Sequence, residues 1–455
     1  MSYATARRRG ANSEINKLYP EDRAVHEWYR FVLSFPPHLV RHYLDEFALS
    51  SDSCVLDPFC GTGTVLVECK KRGIPSVGVE ANPMAHFASQ TKVGWSPDPN
   101  GLMQHSREVA EAARSLLEAE GIEDVPLFAA SERVPSALRG LSPEQDKLLL
   151  TGSISPLPLH KTLMLLDCLR QLPAERYRHH ELLALAKAVV FSASNLRFGP
   201  EVGIGQAKAD APVLSPWMAG MQGMANDLRA LQGRKETPAK VHHADARHLC
   251  DVLEPHSVDA VITSPPYPNE KDYTRTTRLE SVLLGFIQTK QDLRALKQGL
   301  VRSNTRNVYK ADMDDEWVAG HPEIDRIARE IEARRVELGK TSGFERLYAR
   351  LTKLYFGGIA QHLAELRAVL RPGAQLAYVV GDQASYLRVM IPTGALLADI
   401  AQSLGYEIVR IDLFRTRLAT ATKAQLREEV VVLRWPAGSR TAPLHSIAND
   451  IQDDC

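Results

Sequence analysis

Seven short runs of apolar residues, each stopping at a small or turn-forming residue, set the tightest limit on how this chain can fold. They are CVLDPF (54–59), SVGVEAN (76–82), KVHHADA (240–246), DAVITS (259–264), QLAYVVGD (375–382), YEIVRIDLF (406–414) and EVVVLRW (429–435). Runs that are apolar throughout, rather than alternating with polar residues, suit strands covered on both faces. Segments with helical spacing lie between several of them. TVLVECKKRG (64–73) opens after a glycine-rich turn and closes at Gly73, a usual residue just past a helix end, while GGIAQHLAELRAVLRPG (357–373) stops at Pro372-Gly373. Strands separated by helices predict an α/β fold built on a doubly wound sheet.

Two stretches exceed a simple alternation of strand and helix. Residues 87–238 are rich in Leu, Ala, Arg and Glu at helical period (REVAEAARSLLEAEG, ELLALAKAVVF), which predicts a large, mostly helical insertion. Residues 270–350 form a second, highly charged insertion, and the polar tail 437–455 is expected to be loosely ordered. At 455 residues, of which 44% are hydrophobic and 24% charged, the chain has the composition of a globular protein with an ample core. Lys plus Arg equals Asp plus Glu at 55 each, so any nucleic-acid surface has to be local. The six cysteines show neither Cys-x-x-Cys spacing nor a histidine at metal-ligand spacing, so packing thiols are expected and no metal site. The basic N-terminus is followed by no apolar signal core and no run approaches membrane-spanning length; the expected compartment is the cytoplasm, with no membrane partner.

The first chemical feature is VLDPFCGTGTVLVE. It places Asp57 at a strand end, Gly61 and Gly63 in the turn and a helix from about Thr64. Glycines let the backbone approach a ligand closely, and the helix N-terminus adds free N–H groups. The third glycine of a dinucleotide fingerprint and a Walker lysine are both missing, which argues against a phosphate site. Glu80 ends the next strand, where a carboxylate can accept from both ribose hydroxyls, and Asp245 ends the third, where an acceptor can read an adenine amino group. A glycine turn followed by an acid on each of two further strands describes an adenosine site with no phosphate at its far end, and S-adenosyl-L-methionine fits that description.

The second feature is the abrupt stop of DAVITSPPY. Two consecutive prolines serve neither a sheet ladder nor an ordinary helix turn. Together, DPFCGTGT and TSPPY resemble the cofactor and catalytic motifs of the DNA amino-methyltransferases that act on cytosine N4 or adenine N6. The resemblance implies a Rossmann-like, seven-stranded S-adenosylmethionine-dependent methyltransferase fold, with 51–86 and 239–436 as the catalytic domain. It assigns Asp57, Pro58, Phe59, Gly61, Gly63, Thr64, Glu80, Asp245 and Ala246 to the cofactor. The arm 1–50 carries FVLSFPPHLVRHYLDEF (31–47), which resembles an additional cofactor motif and adds Phe35.

By the same resemblance the Ser264 side chain and the Pro265 carbonyl accept the two hydrogens of an exocyclic amine, Pro266 stiffens the turn and Tyr267 stacks on the base. An amine whose lone pair is delocalised into its ring is a poor nucleophile, so such preorganised acceptors supply catalysis without a covalent intermediate. A base in duplex DNA has to flip out to reach them. Serine at position 264 is typical of the cytosine-N4 branch. The reading is therefore a site-specific N4-cytosine methyltransferase of a restriction-modification or defence system, with adenine N6 or an RNA base as alternatives. Double-stranded DNA is the expected partner, together with a cognate restriction endonuclease or other defence protein. Tyr273, Arg275, Arg278, Arg302 and Arg306, in KDYTRTTRLESVLLGF and RSNTRNVYK, are expected to grip DNA, and either 87–238 or 270–350 to recognise the target sequence. Asp382, at the end of the fifth strand, is expected at the edge of the target pocket or in a capping role.

Overall fold

The computed structural model describes residues 17–30, 35–125, 137–199, 201–268, 271–418 and 425–437. The first part of the N-terminal arm and nearly all of the expected polar tail lie outside them. One mixed sheet organises the chain, with strands β1 (Val55–Asp57), β2 (Ser76–Val79), β3 (Ala239–His242), β4 (Val258–Thr263), β5 (Leu370–Gly381), β6 (Glu407–Leu418) and β7 (Gln425–Arg434). Their spatial order is β3-β2-β1-β4-β5-β7-β6. The first five are parallel to one another, and β7 runs antiparallel between β5 and β6. This is the α/β, Rossmann-like architecture of a methyltransferase. Because β2 and β4 flank β1 and lead away in opposite directions, a crevice opens beyond the ends of β1 and β4, where open α/β sheets take their ligands.

Both faces of the central strands are covered, which explains their continuous apolar runs, whereas the edge strand β6 leaves Val409, Ile411 and Leu413 exposed on one face. Val55 of β1, Ala260 and Ile262 of β4, Ala377 and Val379 of β5 and Val430 and Val432 of β7 enter one core. Their neighbours Leu56, Val261, Leu376, Tyr378, Val431 and Leu433 enter the other. Such alternation follows from side chains pointing to opposite faces along a strand.

The first core is closed by α1 (Pro37–Glu46), α2 (Thr64–Arg72) and α3 (Pro83–Val93), and is extended by α4 (Pro99–Ala119), α5 (Pro156–Gln171), α6 (Glu175–Ala188) and α7 (Leu214–Ala230). These last four helices occupy the stretch between β2 and β3, along with a small antiparallel hairpin, Leu196–Phe198 with Val202–Ile204. The second core is closed by α8 (Pro322–Glu337), α9 (Tyr348–Val369) and α10 (Thr393–Ser403). No helix among the described residues is long and apolar enough to cross a membrane.

Local signals explain several boundaries. Helix α2 ends where Gly73 adopts φ +77° and its N–H returns to the Cys69 and Lys70 carbonyls. Helix α3 begins at Asn82, whose side chain accepts from the Met84 and Ala85 N–H groups. The expected start of α9 at Gly357 needs correction, since the helix begins at Tyr348. Gly357 marks a close approach instead of an end: a Cβ there would sit 1.7 Å from the Asp314 carbonyl oxygen.

Candidate functional site

The crevice beyond β1 and β4 holds a cavity of about 310 Å³. Of the residues expected to bind cofactor, Phe35, Pro58, Phe59, Gly61, Thr64, Glu80, Asp245 and Ala246 line it, as do Ser264, Pro265, Pro266, Tyr267 and Tyr273. The two motifs lie almost two hundred residues apart in the chain yet share one cavity, because β1 and β4 are paired neighbours.

The turn after β1 rests on two glycines in the left-handed region, Gly61 at φ +51° and Gly63 at φ +82°. Gly63 is also constrained by packing, since a Cβ would come 2.6 Å from Ser89 Oγ of α3; it caps α2 and lies off the cavity wall. Asp57 lies beneath the turn, also off the wall, and is 1% exposed. Its Oδ1 accepts from the Phe59 N–H at 3.2 Å and from the Thr263 hydroxyl at 2.6 Å, which ties the turn to the end of β4. Its Oδ2 is buried without a hydrogen-bond partner among the described residues, and burial pushes the carboxyl up to about 7.

Glu80, just past β2, accepts from the Gly61 N–H at 2.8 Å through Oε2 and from the Asn82 N–H at 2.7 Å through Oε1. Each oxygen keeps further acceptor capacity, and burial raises this carboxyl to about 7 as well. Asp245 is less free. Its carboxylate accepts from the Arg247 N–H at 3.0 Å, from Nε at 3.1 Å and from Nη2 at 2.6 Å. Arg247 is buried and pairs through Nη1 with Asp314 at 2.6 Å. It therefore joins the edge of the cavity to the segment after β4, which contributes Gly299, Leu300, Val301 and Ser303 to the wall.

At the other end, β4 stops at Thr263 and the next four residues leave the ladder. The Ser264 hydroxyl donates to the Val379 carbonyl at 3.0 Å and is also hydrogen-bonded to the Tyr267 hydroxyl, so its one proton is spent and one lone pair of the oxygen remains as an acceptor. Pro265 and Pro266 have no N–H with which to pair a neighbouring strand. Burial raises the Tyr267 hydroxyl above its ordinary range, and the ring packs over Gly381, where a Cβ would lie 3.1 Å from Tyr267 Cε2. Burial also pushes the Tyr273 hydroxyl up to about 12. Cys60 lines the cavity, but burial raises its thiol well above the usual value, which leaves little thiolate for nucleophilic attack.

The expected DNA-binding arginines divide. Arg302 is buried, paired with Asp312 at 2.8 Å and donating to the Lys297 and Gln298 carbonyls. Arg278 spends Nε and Nη2 on Thr274 and Nη1 on the Leu148 carbonyl. Arg302 is thus a brace inside the fold, whereas Arg278, though its donors are engaged, keeps some exposed surface. Arg306 is exposed, 3.8 Å from Glu201 and stacked over Phe344, and Arg275 is partly exposed. Asp382 is buried just past β5 and does not line the cavity. Cys250, expected to pack, is exposed. Among the described residues no cluster of His, Cys, Asp and Glu could hold a metal.

Sequence reasoning missed one part of the wall, formed by Phe414, Arg415 and Arg417 of β6 and Glu428 of β7. The signal is present as charges set inside strands: FRTR (414–417) and REE (427–429).

Comparison with known proteins agrees with this geometry. Residues 7–90 match the family model for DNA methylases. The chain is 25% identical over 447 residues to the Type II methyltransferase M.BsoBI of Geobacillus stearothermophilus, an alignment covering 91% of this chain and 85% of that protein. It is 22% identical over 455 residues to the Type II methyltransferase M.AvaI of Nostoc sp., covering 93% and 88% of the two chains. A shorter segment of 69 residues is 33% identical to the Type II methyltransferase M.MjaII of Methanocaldococcus jannaschii, 15% of this chain and 13% of that one.

Proposed function

We propose, because this chain belongs to the N4/N6 DNA methyltransferase family, that it transfers a methyl group from S-adenosylmethionine to N4 of a cytosine within a specific DNA sequence. The observation that best supports this reading is a Ser264 hydroxyl already committed as donor to Val379, in the same cavity as the glycine turn and Glu80. The residues present fit the cofactor. Glu80 offers acceptors for ribose hydroxyls through oxygens already oriented by the Gly61 and Asn82 N–H groups. S-adenosylmethionine supplies an electrophilic methyl group on a sulfonium.

The chain's own groups do the rest. Ser264 Oγ and the Pro265 carbonyl accept the two amino hydrogens, which draws the nitrogen lone pair out of conjugation. Tyr267 provides a ring face for the flipped base. Ser264 is neutral and does not retain a proton, so the proton leaves to water from the cationic product nitrogen, after the C–N bond forms and the C–S bond breaks. Arg306, which is exposed, and Arg275, which is partly exposed and whose guanidinium makes no hydrogen bond among the described residues, are the phosphate contacts in this reading, and the helical stretch 87–238 or the segment 270–350 reads the sequence. The Type II relatives support a place in a restriction-modification system with a cognate endonuclease.

Sequencing with modification detection on DNA from cells with and without the protein tests the reading. N4-methylcytosine at one recurrent sequence is expected. N6-methyladenine instead, or methylated RNA with unmodified DNA, would overturn it.

A further inference from the structure

We infer that Arg415, held on Glu428 and seconded by Arg417, is the base-reading group of the target pocket, donating to the two ring acceptors N3 and O2 of a flipped cytosine. The inference rests on the N4-cytosine reading above and names the residues that would enforce it.

Three neighbouring strands build the group. Glu428 of β7 is paired with Gly381 of β5 on one side and with Arg415 of β6 on the other. The Arg415 Nε donates to Glu428 Oε2 at 2.5 Å, and Arg417 Nε lies 3.5 Å from Oε1. With its Nε spent, Arg415 makes no further hydrogen bond to a described residue, so its outer pair of N–H groups is available. Arg417 donates Nη2 to the Asp382 carbonyl at 3.1 Å, and its Nε is buried without a hydrogen bond among the described residues. The carboxylate thus restrains two guanidinium groups that two rotatable stems would otherwise leave free.

Their position fits a base edge better than the DNA backbone. A Cβ on Gly381 would lie 3.1 Å from Tyr267 Cε2 and 3.2 Å from Glu428 Cγ, so the stem of Glu428 meets the Tyr267 ring over that glycine. Glu428 and the two arginines therefore lie beside the stacking ring and line the same cavity as Ser264. A phosphate of the flipped nucleotide would remain nearer the mouth, and Glu428 would repel it.

Chemistry then discriminates between bases. Cytosine presents its amine, N3 and O2 along one edge, so an amine placed on Ser264 and Pro265 leaves two adjacent acceptors. A guanidinium fork matches two adjacent acceptors bidentately. Adenine presents its amine, N1 and a C–H, and so offers the fork one acceptor and leaves one buried donor unpaired. Serine at 264 would then not choose the base alone.

The test uses the purified enzyme, S-adenosylmethionine and unmodified genomic DNA, with nucleoside mass spectrometry, and then a duplex carrying the mapped target with cytosine or adenine at the methylated position. Arg415→Met keeps the aliphatic stem, and Glu428→Gln releases the arginine while leaving it in place. We expect Arg415→Met to lower kcat/KM on cytosine roughly 10- to 100-fold, to narrow the cytosine-to-adenine ratio, and to leave cofactor affinity and the melting temperature near wild type. Glu428→Gln should give a smaller change in the same direction. If wild type methylates cytosine while both variants keep its rate and base ratio, the inference falls and the function stands. A loss in which the base ratio is kept and the salt slope of DNA binding drops by about one marks Arg415 as a phosphate contact and also overturns it. Wild-type product that is N6-methyladenine would sink the cytosine reading itself. Should Arg415→Met fail to fold, Arg417→Met read the same way decides the matter.

Discussion

At the scale of single residues, the site depends on which groups have already spent their hydrogen bonds. Ser264 donates to Val379, so Ser264→Ala removes the side-chain acceptor held in place by that bond. Methylation should fall about 10²-fold or more, as when one preorganised polar group is removed from an active site, with cofactor binding retained in calorimetry. A variant with near-normal turnover would show that Pro265 suffices. Glu80 gives the site a pH dependence. Its carboxyl, raised to about 7 by burial, loses charge and acceptor capacity as the pH falls through that value. Affinity for S-adenosylmethionine should therefore drop about tenfold from pH 8 to pH 6, and Glu80→Gln should flatten the curve at the weaker level. A wild-type affinity that rises toward acid would contradict the assignment. Arginine shows where reading residues one at a time fails. Arg302 and Arg306 look alike in RSNTRNVYK, yet one is buried on Asp312 and the other is exposed. The acidic run that follows, ADMDDE, reads as the limit of a basic surface, whereas two of its members, Asp312 and Asp314, are the partners that take Arg302 and Arg247 out of solvent. Exposure of a charge depends on a partner that only the fold reveals.

Elements are easier to read than contacts, because each strand and helix carries its own pattern. Burial on two faces forces the central strands to be apolar at nearly every position, and the same rule that predicts them explains Val379 and Tyr378 entering opposite cores. The glycine turn is legible for a similar reason, but its two glycines are not equivalent. A Cβ added to Gly61 would meet open space, whereas one added to Gly63 would run into Ser89. Gly61→Ala should cost about 1 kcal/mol from left-handed strain alone, while Gly63→Ala adds a clash against α3 and should cost about twice that or more. Denaturant titration of both variants measures the difference, and equal losses would mean that α3 yields without penalty. The hairpin of β6 and β7 is recognisable as strands but not as a wall of the site, since nothing local to FRTR indicates that Gly381 and Tyr267 lie across the sheet from it. The glycines at 357 and 358 mislead in the opposite sense: a pair that looks like a helix start lies inside α9, where backbone from the Asp314 loop crosses.

At the scale of the whole molecule, one buried cation joins the cofactor end of the cavity to a distant part of the chain. Arg247→Met would leave Asp245 and Asp314 facing each other without their shared partner, a loss of about 3 kcal/mol or more. It should also uncouple the wall at 299–303 from the cofactor. In wild type, adding S-adenosylmethionine should slow amide exchange in that segment; in the variant it should not, and equal protection in both would show that the wall orders on its own. The two halves of the site have a further consequence for how the protein is made. β1 emerges early in synthesis, but its pairing partners β2 and β4 are complete only once residue 263 has been added. Until then Val55 and Leu56 belong to an open, apolar strand edge, with the whole helical stretch between β2 and β3 already waiting to pack. A nascent or truncated chain therefore cannot be rescued by its cofactor, because the pocket that would bind it does not yet exist. In the proposed reading methylating capacity appears late and all at once, since the wall of the pocket is complete only when Glu428 has been added.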